Sequence, residues 1–236
     1  MPKVTVLLPQ YKHQAYLPDA VQSIIDQTFQ DWELLILDDE NNFSYSFETT
    51  YGILDDRIRI IDKDPSDPPG QTKRLNVGIR EAKGEFIAFQ DADDISFPWR
   101  LELSLAYMEF DKADLVYGDK VILHPDGRQE YWRSPHWCPT LFHLKSMGCW
   151  GSYMVRASRI CFFDEDITYH NDHIWEARMS KVTKNVVKAP IPFYKQRVYS
   201  SVYKDRNGRI PGLRKIKRIR AARKIDRMVY DIVRGK

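Results

Sequence analysis

The sequence predicts an α/β protein whose central sheet is mostly parallel and covered on both faces by helices. Three observations carry that prediction. Short apolar runs at residues 4–8, 34–37 and 86–89 read as buried strands. Stretches of helical period lie between them, and strands joined by crossover helices build parallel sheets. Two of the runs end in acids, Asp38-Asp39 and Asp91-Ala92-Asp93-Asp94, and in open α/β sheets ligands bind beyond the carboxyl ends of the strands.

Taken in order, Val4-Thr5-Val6-Leu7-Leu8 forms the first strand, which Pro9 is expected to end. Apolar residues at 17, 21, 24, 25 and 29 predict a helix over 17–29, with Pro18 in its first turn. Leu34-Leu35-Ile36-Leu37 is the second strand, and a third is expected over 57–61. Pro65, Pro68, Pro69 and Gly70 make 62–71 a loop. A helix follows over 72–83, carried by Leu75, Ile79 and Ala82 and stopped by Gly84. Residues 85–90 form the next strand. A helix from 98 or 99 to 110 and a strand over 114–117 complete the regular part.

Beyond residue 120 the pattern loosens. Asp126-Gly127 between Val121-Ile122-Leu123 and Tyr131-Trp132 predicts a β-hairpin. Residues 132–163, rich in aromatics, prolines and glycines, are expected to form an antiparallel half that shapes a pocket. A helix over 171–179 and two late strands, at 186–187 and 192–198, follow.

The chain has 236 residues, 43% hydrophobic and 29% charged, the make-up of a folded globular protein. No apolar run is long enough to span a membrane, and the start, Met1-Pro2-Lys3, leads straight into the first strand without a signal-peptide pattern. A cytosolic protein is expected. Cys138, Cys149 and Cys161 lack zinc-site spacing and read as reduced thiols. The net charge of +3 conceals a division: residues 209–236 hold eleven Lys or Arg against Asp226 and Asp231, so an acidic body carries a basic tail. Leu213, Ile216, Ile219, Ala222, Ile225 and Ile232 make that tail an amphipathic helix. It could lie at the inner face of an anionic membrane, pack on the body or a second subunit, or touch nucleic acid. The acidic body and the lack of a recognition motif argue against nucleic acid.

The acids carry the chemistry. Asp91, Asp93 and Asp94 follow a buried strand, and clustered carboxylates suit a hard cation such as Mn2+ or Mg2+. Such a cation neutralises a departing diphosphate. Asp38 and Asp39 offer acceptors for a base or a ribose. Lys73 and Arg74, near a helix start, offer phosphate contacts. Asp-x-Asp is common by chance, and solvated turns or caps are the simpler reading of each cluster alone. Gly-x-Gly-x-x-Gly and P-loop signatures are absent, which weighs against dinucleotide and P-loop folds. A nucleotidyltransferase also uses metal-binding acids, but its Gly-rich basic signature near the N-terminus is missing.

Taken together, Val4 to Tyr11, Tyr16-Leu17 through Gln27-Thr28-Phe29, Trp32 to Asp39, and Leu75 to Asp94 resemble the family 2 inverting nucleotide-sugar glycosyltransferases. The resemblance implies the GT-A fold, an α/β/α sandwich. It implies one catalytic domain over 1–208, with a nucleotide-binding half at 1–98 and an acceptor half at 99–208, followed by the tail at 209–236. It implies that Asp39 binds uracil, assisted by Asp38, that Pro9 and Tyr11 line base and ribose, and that Lys73 or Arg74 lies near base or phosphates. Asp91 would reach the ribose or sugar, and Asp93 the metal. The family's catalytic base falls on Asp172 in Asn171-Asp172-His173-Ile174-Trp175, with Asn171 where a Glu is usual; His170 and His173 are alternatives, and a helix cap is the simpler role. Tyr194-Lys195-Gln196-Arg197 with Ser200 resembles a late segment over the diphosphate, with Arg197 where many members have His, so that it would contact phosphate rather than metal. Trp132, His136, Trp137, Cys138, Met147 and Trp150 are candidates for the acceptor side, with core packing as the simpler role. The implied reaction is transfer from a nucleotide sugar, a UDP-sugar first, to a glycan or lipid-linked acceptor. An inactive binding or scaffold protein of the same fold is the alternative.

Overall fold

The structure, a computed structural model, describes residues 1–40, 47, 50–66, 70–139, 148, 150–167 and 171–198. Met147, Cys149, His170, Ser200 and the basic tail lie outside the described residues.

Among the described residues nine strands form one sheet: β1 (Val4–Gln10), β2 (Trp32–Asp38), β3 (Ile58–Ile61), β4 (Phe86–Phe89), β5 (Ile95–Ser96), β6 (Leu115–Leu123), β7 (Gln129–Trp132), β8 (Met154–Arg156) and β9 (Val186–Arg197). The described helices are α1 (Leu17–Ile25), α2 (Gln71–Glu81), α3 (Arg100–Phe110) and α4 (Asn171–Val182). The strand order is β3-β2-β1-β4-β8-β6-β9-β5, with β7 hairpinned onto β6. The first four strands run parallel. Beyond β4 the sheet turns mixed: β8 is antiparallel to both β4 and β6, and β9 is parallel to β6.

The period-two alternation of buried strands sorts their side chains into two layers. Val4, Val6, Leu8, Leu34 and Ile36 face α1 and α3, meeting Leu17, Val21, Ile24, Leu101 and Met108. Leu7, Leu35, Leu37, Ile87 and Phe89 face the other way, onto Leu75 of α2 and Trp175 and Met179 of α4. The result is the expected α/β/α sandwich.

Four local expectations are corrected. Pro9 does not end β1, which runs on to Gln10 with Pro9 opposite Leu37. The Leu7 carbonyl accepts from Gln90 on the β4 side and that of Gln10 from Asp39 on the β2 side. The Pro9 nitrogen therefore faces the β4 side just past the end of that strand, where no ladder bond is lost. Helix α1 stops at Ile25, short of Phe29. There Gln27 leaves the helical path to bond three places at once, donating to the carbonyls of Ser23 and Phe97 and accepting from the Leu101 N–H. Gly84 does not stop α2, which ends at Glu81 with Ala82 already in extended backbone. Gly84 is needed for close approach: a Cβ there would lie 2.5 Å from the Thr5 nitrogen, and its N–H donates to Thr5 Oγ1 at 2.8 Å. The two late strands are one, β9, which keeps pairing with β6 through register shifts near Asp119. The predicted hairpin is present, with Gly127 at φ 84° in its turn.

Candidate nucleotide and cation site

Strands β1, β2 and β4 lie side by side, and a cavity of about 380 Å³ opens where they end. Its walls come from four places in the chain: Pro9 and Gln10 at the end of β1 with Tyr11 and His13 just after it; Asp39 after β2; Gly70, Gln71 and Arg74 at the start of α2; and Asp91, Ala92 and Asp93 after β4. The loop after β1 turns back through Lys12, a non-glycine residue at φ 59°. The Glu40 carboxylate holds that turn, accepting from the Lys12 N–H and, at 2.6 Å, from Gln14 Nε2. The turn sets Tyr11 and His13 on the cavity wall.

The adjacent acids Asp38 and Asp39 separate because consecutive residues of a strand face opposite layers. Asp38 is fully buried on the α1 side, where its Oδ1 accepts the Glu40 N–H at 2.9 Å, and it does not line the cavity. Asp39 lines it. Its Oδ2 accepts the Gly70 N–H at 2.8 Å, and its buried Oδ1 has no hydrogen-bond partner. Burial raises the Asp39 carboxyl above its ordinary range, against the Gly70 bond and the Lys63 and Arg74 charges. A base that presents an N–H fits that oxygen. Arg74 lines the cavity as well, but it is buried, with Nη2 donating to the carbonyls of Ile61 and Asp62. Lys73 is not among the lining residues.

The turn that carries Asp91, Asp93 and Asp94 is fixed from beneath. Gln90 is fully buried, and its Nε2 donates to the carbonyls of Asp91 and Asp94 at 3.0 Å each. Its Oε1 accepts from Ser96 Oγ at 2.6 Å and Arg100 Nη1 at 2.9 Å. Arg100, itself buried, also donates to Ser96 Oγ and the Phe89 carbonyl, and burial lowers its guanidinium to about 10. Asp91 is pushed up to about 7 by burial first and the Asp93 charge second, opposed by Arg100, by the Gly151 N–H that it accepts, and by Lys120. Asp94 is raised well above the ordinary carboxylate range by burial and by both neighbours, and it accepts the Arg197 N–H at 2.9 Å.

Mutual repulsion of this kind is what a divalent cation relieves, and carboxylate oxygens are the donors Mn2+ or Mg2+ prefers. The residues present therefore fit such an ion. Among the described residues no three His, Cys, Asp or Glu side chains are placed to hold one unaided.

The other candidates sit around this centre. Arg197 donates to the Asp93 carbonyl at 2.8 Å and to Asp19, so the end of β9 is tied over the acid turn. Asp172 and Asn171 form the first turn of α4, with Asp172 Oδ2 3.9 Å from His173 Nε2; neither lines the cavity. Trp150 is packed into an aromatic layer, 4.5 Å from Phe89, 5.0 Å from Phe163 and 5.5 Å from Trp175 between ring centroids. It begins a short helical turn, Trp150–Ser152, whose Gly151 meets Asp91. Through that layer α4 rests on the same turn that touches the acids. Trp137 packs on Tyr117 and Tyr153, and Trp132 lies beneath Lys120.

Sequence reasoning missed His13, Gln90 and Arg100. Only His13 offered a local signal, as a titratable residue in the loop after β1.

A family model described as glycosyl transferase family 2 matches residues 5–168. The chain is 28% identical over 121 residues to an Escherichia coli UDP-Glc:alpha-D-GlcNAc-diphosphoundecaprenol beta-1,3-glucosyltransferase, WfgD, covering 51% of this chain and 47% of that protein. Among solved structures it resembles S. aureus TarS in complex with UDP-GlcNAc, with TM-score 0.68 and 16% identity over 84% of this chain and 59% of that one. It also resembles a mannosyltransferase from Pyrobaculum calidifontis in complex with GDP-Man and Mn2+, with TM-score 0.64 and 15% identity over 86% and 59%. The chain thus spans about half the length of the E. coli relative and less than two thirds of either structure. These likenesses show a GT-A-type fold. With more than half of its length matched by the family model, the chain belongs to glycosyl transferase family 2.

Proposed function

We propose that the cavity binds the nucleoside diphosphate of an activated sugar and that the chain transfers the sugar, with inversion, to a hydroxyl of a glycan or lipid-linked acceptor. One observation carries this reading. A single cavity sets Asp39, with an unmet buried oxygen, against Asp91 and Asp93, whose charges repel. A nucleoside diphosphate has an N–H-bearing base at one end and a cation-seeking diphosphate at the other.

In this reading Asp39 accepts from the base, with Pro9 and Tyr11 against base and ribose, while Asp91 reaches the ribose or sugar. Asp93 holds a divalent cation together with the diphosphate, and that ion supplies charge neutralisation for the leaving group. Asp172 accepts the proton of the acceptor hydroxyl as its oxygen bonds to C1 and the diphosphate departs with the electron pair of the broken C–O bond. A UDP-sugar is the favoured donor, supported by the UDP-GlcNAc bound in the TarS structure. The GDP-Man of the Pyrobaculum enzyme makes GDP-sugars the second choice. Among the described residues no helix is long and apolar enough to cross a membrane. A lipid-linked acceptor would then be met at the membrane face, a role for which the basic tail is suited.

The test is transfer from UDP-, dTDP- and GDP-sugars to glycan and lipid-linked acceptors, with the anomeric configuration of the product read by NMR. An inverted product, formed by the wild type and lost in Asp172→Asn with donor binding intact, is expected. Retention of configuration, or an Asp172→Asn enzyme of full activity, would overturn the mechanism.

A further inference from the structure

His13 is the unclaimed titratable side chain of the cavity. It sits in the loop after β1, 41% exposed, and its Nδ1 lies 3.9 Å from Asp93 Oδ2. That separation is too long for a hydrogen bond. It is within the span of two atoms bound to one cation, since first-row ions hold nitrogen and oxygen at about 2.0–2.2 Å. The ring reaches this place from a different strand end than Asp93, because the Lys12 turn, gripped by Glu40, swings the loop back over the cavity. The loop continues into α1 through hydrogen bonds from the Tyr16 and Leu17 N–H groups to the His13 carbonyl, which anchor its backbone.

Resting on the nucleotide-diphosphate reading of this cavity, we propose that His13 is a second protein ligand of the cation. It joins Asp93 through Nδ1 and makes the site select Mn2+ over Mg2+. Mn2+, like Mg2+, is served by oxygen donors, but as a first-row transition ion it gains more from an added imidazole nitrogen than Mg2+ does. A site of carboxylate and phosphate oxygens alone would take either ion.

The experiment uses the full chain with Mn2+ and UDP, with GDP in parallel, and reads the ion rather than turnover. Electron spin-echo envelope modulation of the bound Mn2+ is expected to show a directly coordinated 14N. The signal should change character in protein labelled with 15N-histidine and vanish in His13→Gln. Mn2+ affinity in the presence of nucleotide should fall at least about tenfold in His13→Gln, while Mg2+-supported nucleotide binding stays within about twofold. Because His13 is partly exposed, the unfolding midpoint of the variant should be unchanged. Bound Mn2+ without nitrogen coupling, coupling that survives His13→Gln, or equal loss with both ions would overturn the assignment. In the last case the imidazole contacts phosphate instead. Failure of both nucleotides to bind with either ion would overturn the nucleotide reading as well, a separable result.

Discussion

Arg100 Nη1 donates to Gln90 Oε1 at 2.9 Å, and through that bond a buried cation in α3 holds the amide that clamps the acid turn. The clamp has no spare capacity. Both ends of Gln90 are bonded, and Arg100 is shared among Gln90, Ser96 and the Phe89 carbonyl. Replacing Arg100 by Met leaves three buried acceptors short of a donor. Arg100→Met should cost about 2–4 kcal/mol in urea unfolding. Gln90→Leu in the same background should cost much less than it does alone, because the two act as one network. Additive losses in that double-mutant cycle would show that the clamp is not a unit.

The acid turn gives the cation-free protein an unusual pH dependence. Asp91 titrates at about 7 in the fold, against an ordinary value of 3.8 in the unfolded chain. Between those values the folded state holds a proton that the unfolded state has released. Stability should therefore fall as pH rises from about 4 to about 7 and level off above it. Asp94, shifted the same way, adds to the fall. Urea midpoints measured across this range should show the slope in wild type and a shallower one in Asp91→Asn. Added Mn2+ with nucleotide should lessen the loss at high pH by offsetting the repulsion.

Two glycines separate close approach from backbone conformation. Gly84→Ala would drive a Cβ to within 2.5 Å of the Thr5 nitrogen and 2.8 Å of the Val4 carbonyl carbon, both backbone atoms that cannot move aside cheaply. A loss of about 3 kcal/mol is expected. Gly127→Ala meets no atom within 4 Å but must hold φ near 84°, costing about 1–2 kcal/mol. Thermal unfolding of the two variants checks the order.

Asp39→Asn keeps the shape of the side chain and an acceptor for the Gly70 N–H, but it turns an amide donor toward a base that itself donates. Nucleotide affinity should fall about 10- to 100-fold by calorimetry, as expected for a buried mismatched hydrogen bond. Asp38→Asn should leave nucleotide affinity near wild type, because Asp38 faces the α1 layer. Equal losses at the two positions would contradict the division of labour between these neighbours.

The parallel half of the fold was legible because its strands are nearly continuous apolar runs and its acids follow them directly. Which of Asp38 and Asp39 faces the cavity needed the resemblance, since either register of β2 fits the run itself. What stayed hidden depends on partners distant in the chain. Arg100 reads as an ordinary charge at a helix start until the Gln90 amide and Ser96 hydroxyl are seen to surround it. His13 is unremarkable until the Lys12 turn carries it to Asp93. Strand β9 read as two pieces because Pro190 and Pro192 interrupt its pattern, and only the pairing with β6 shows that the strand continues past them. Trp150 was a candidate for the acceptor side with core packing as the simpler role, and its ring lies in the aromatic layer beneath the Gly151 turn.

Ion-dependent nucleotide-sugar binding at the cavity is measured by calorimetry with UDP- and GDP-sugars in the presence and absence of Mn2+, on wild type and Asp93→Ala. Saturable binding of one nucleotide class by the wild type, dependent on the ion and lost in Asp93→Ala with the fold of the variant intact, is expected. Ion-independent binding, or full affinity in Asp93→Ala, would contradict the role of Asp93. The absence of any nucleotide binding by folded wild type would contradict the transferase reading itself and favour a binding or scaffold protein of the same fold.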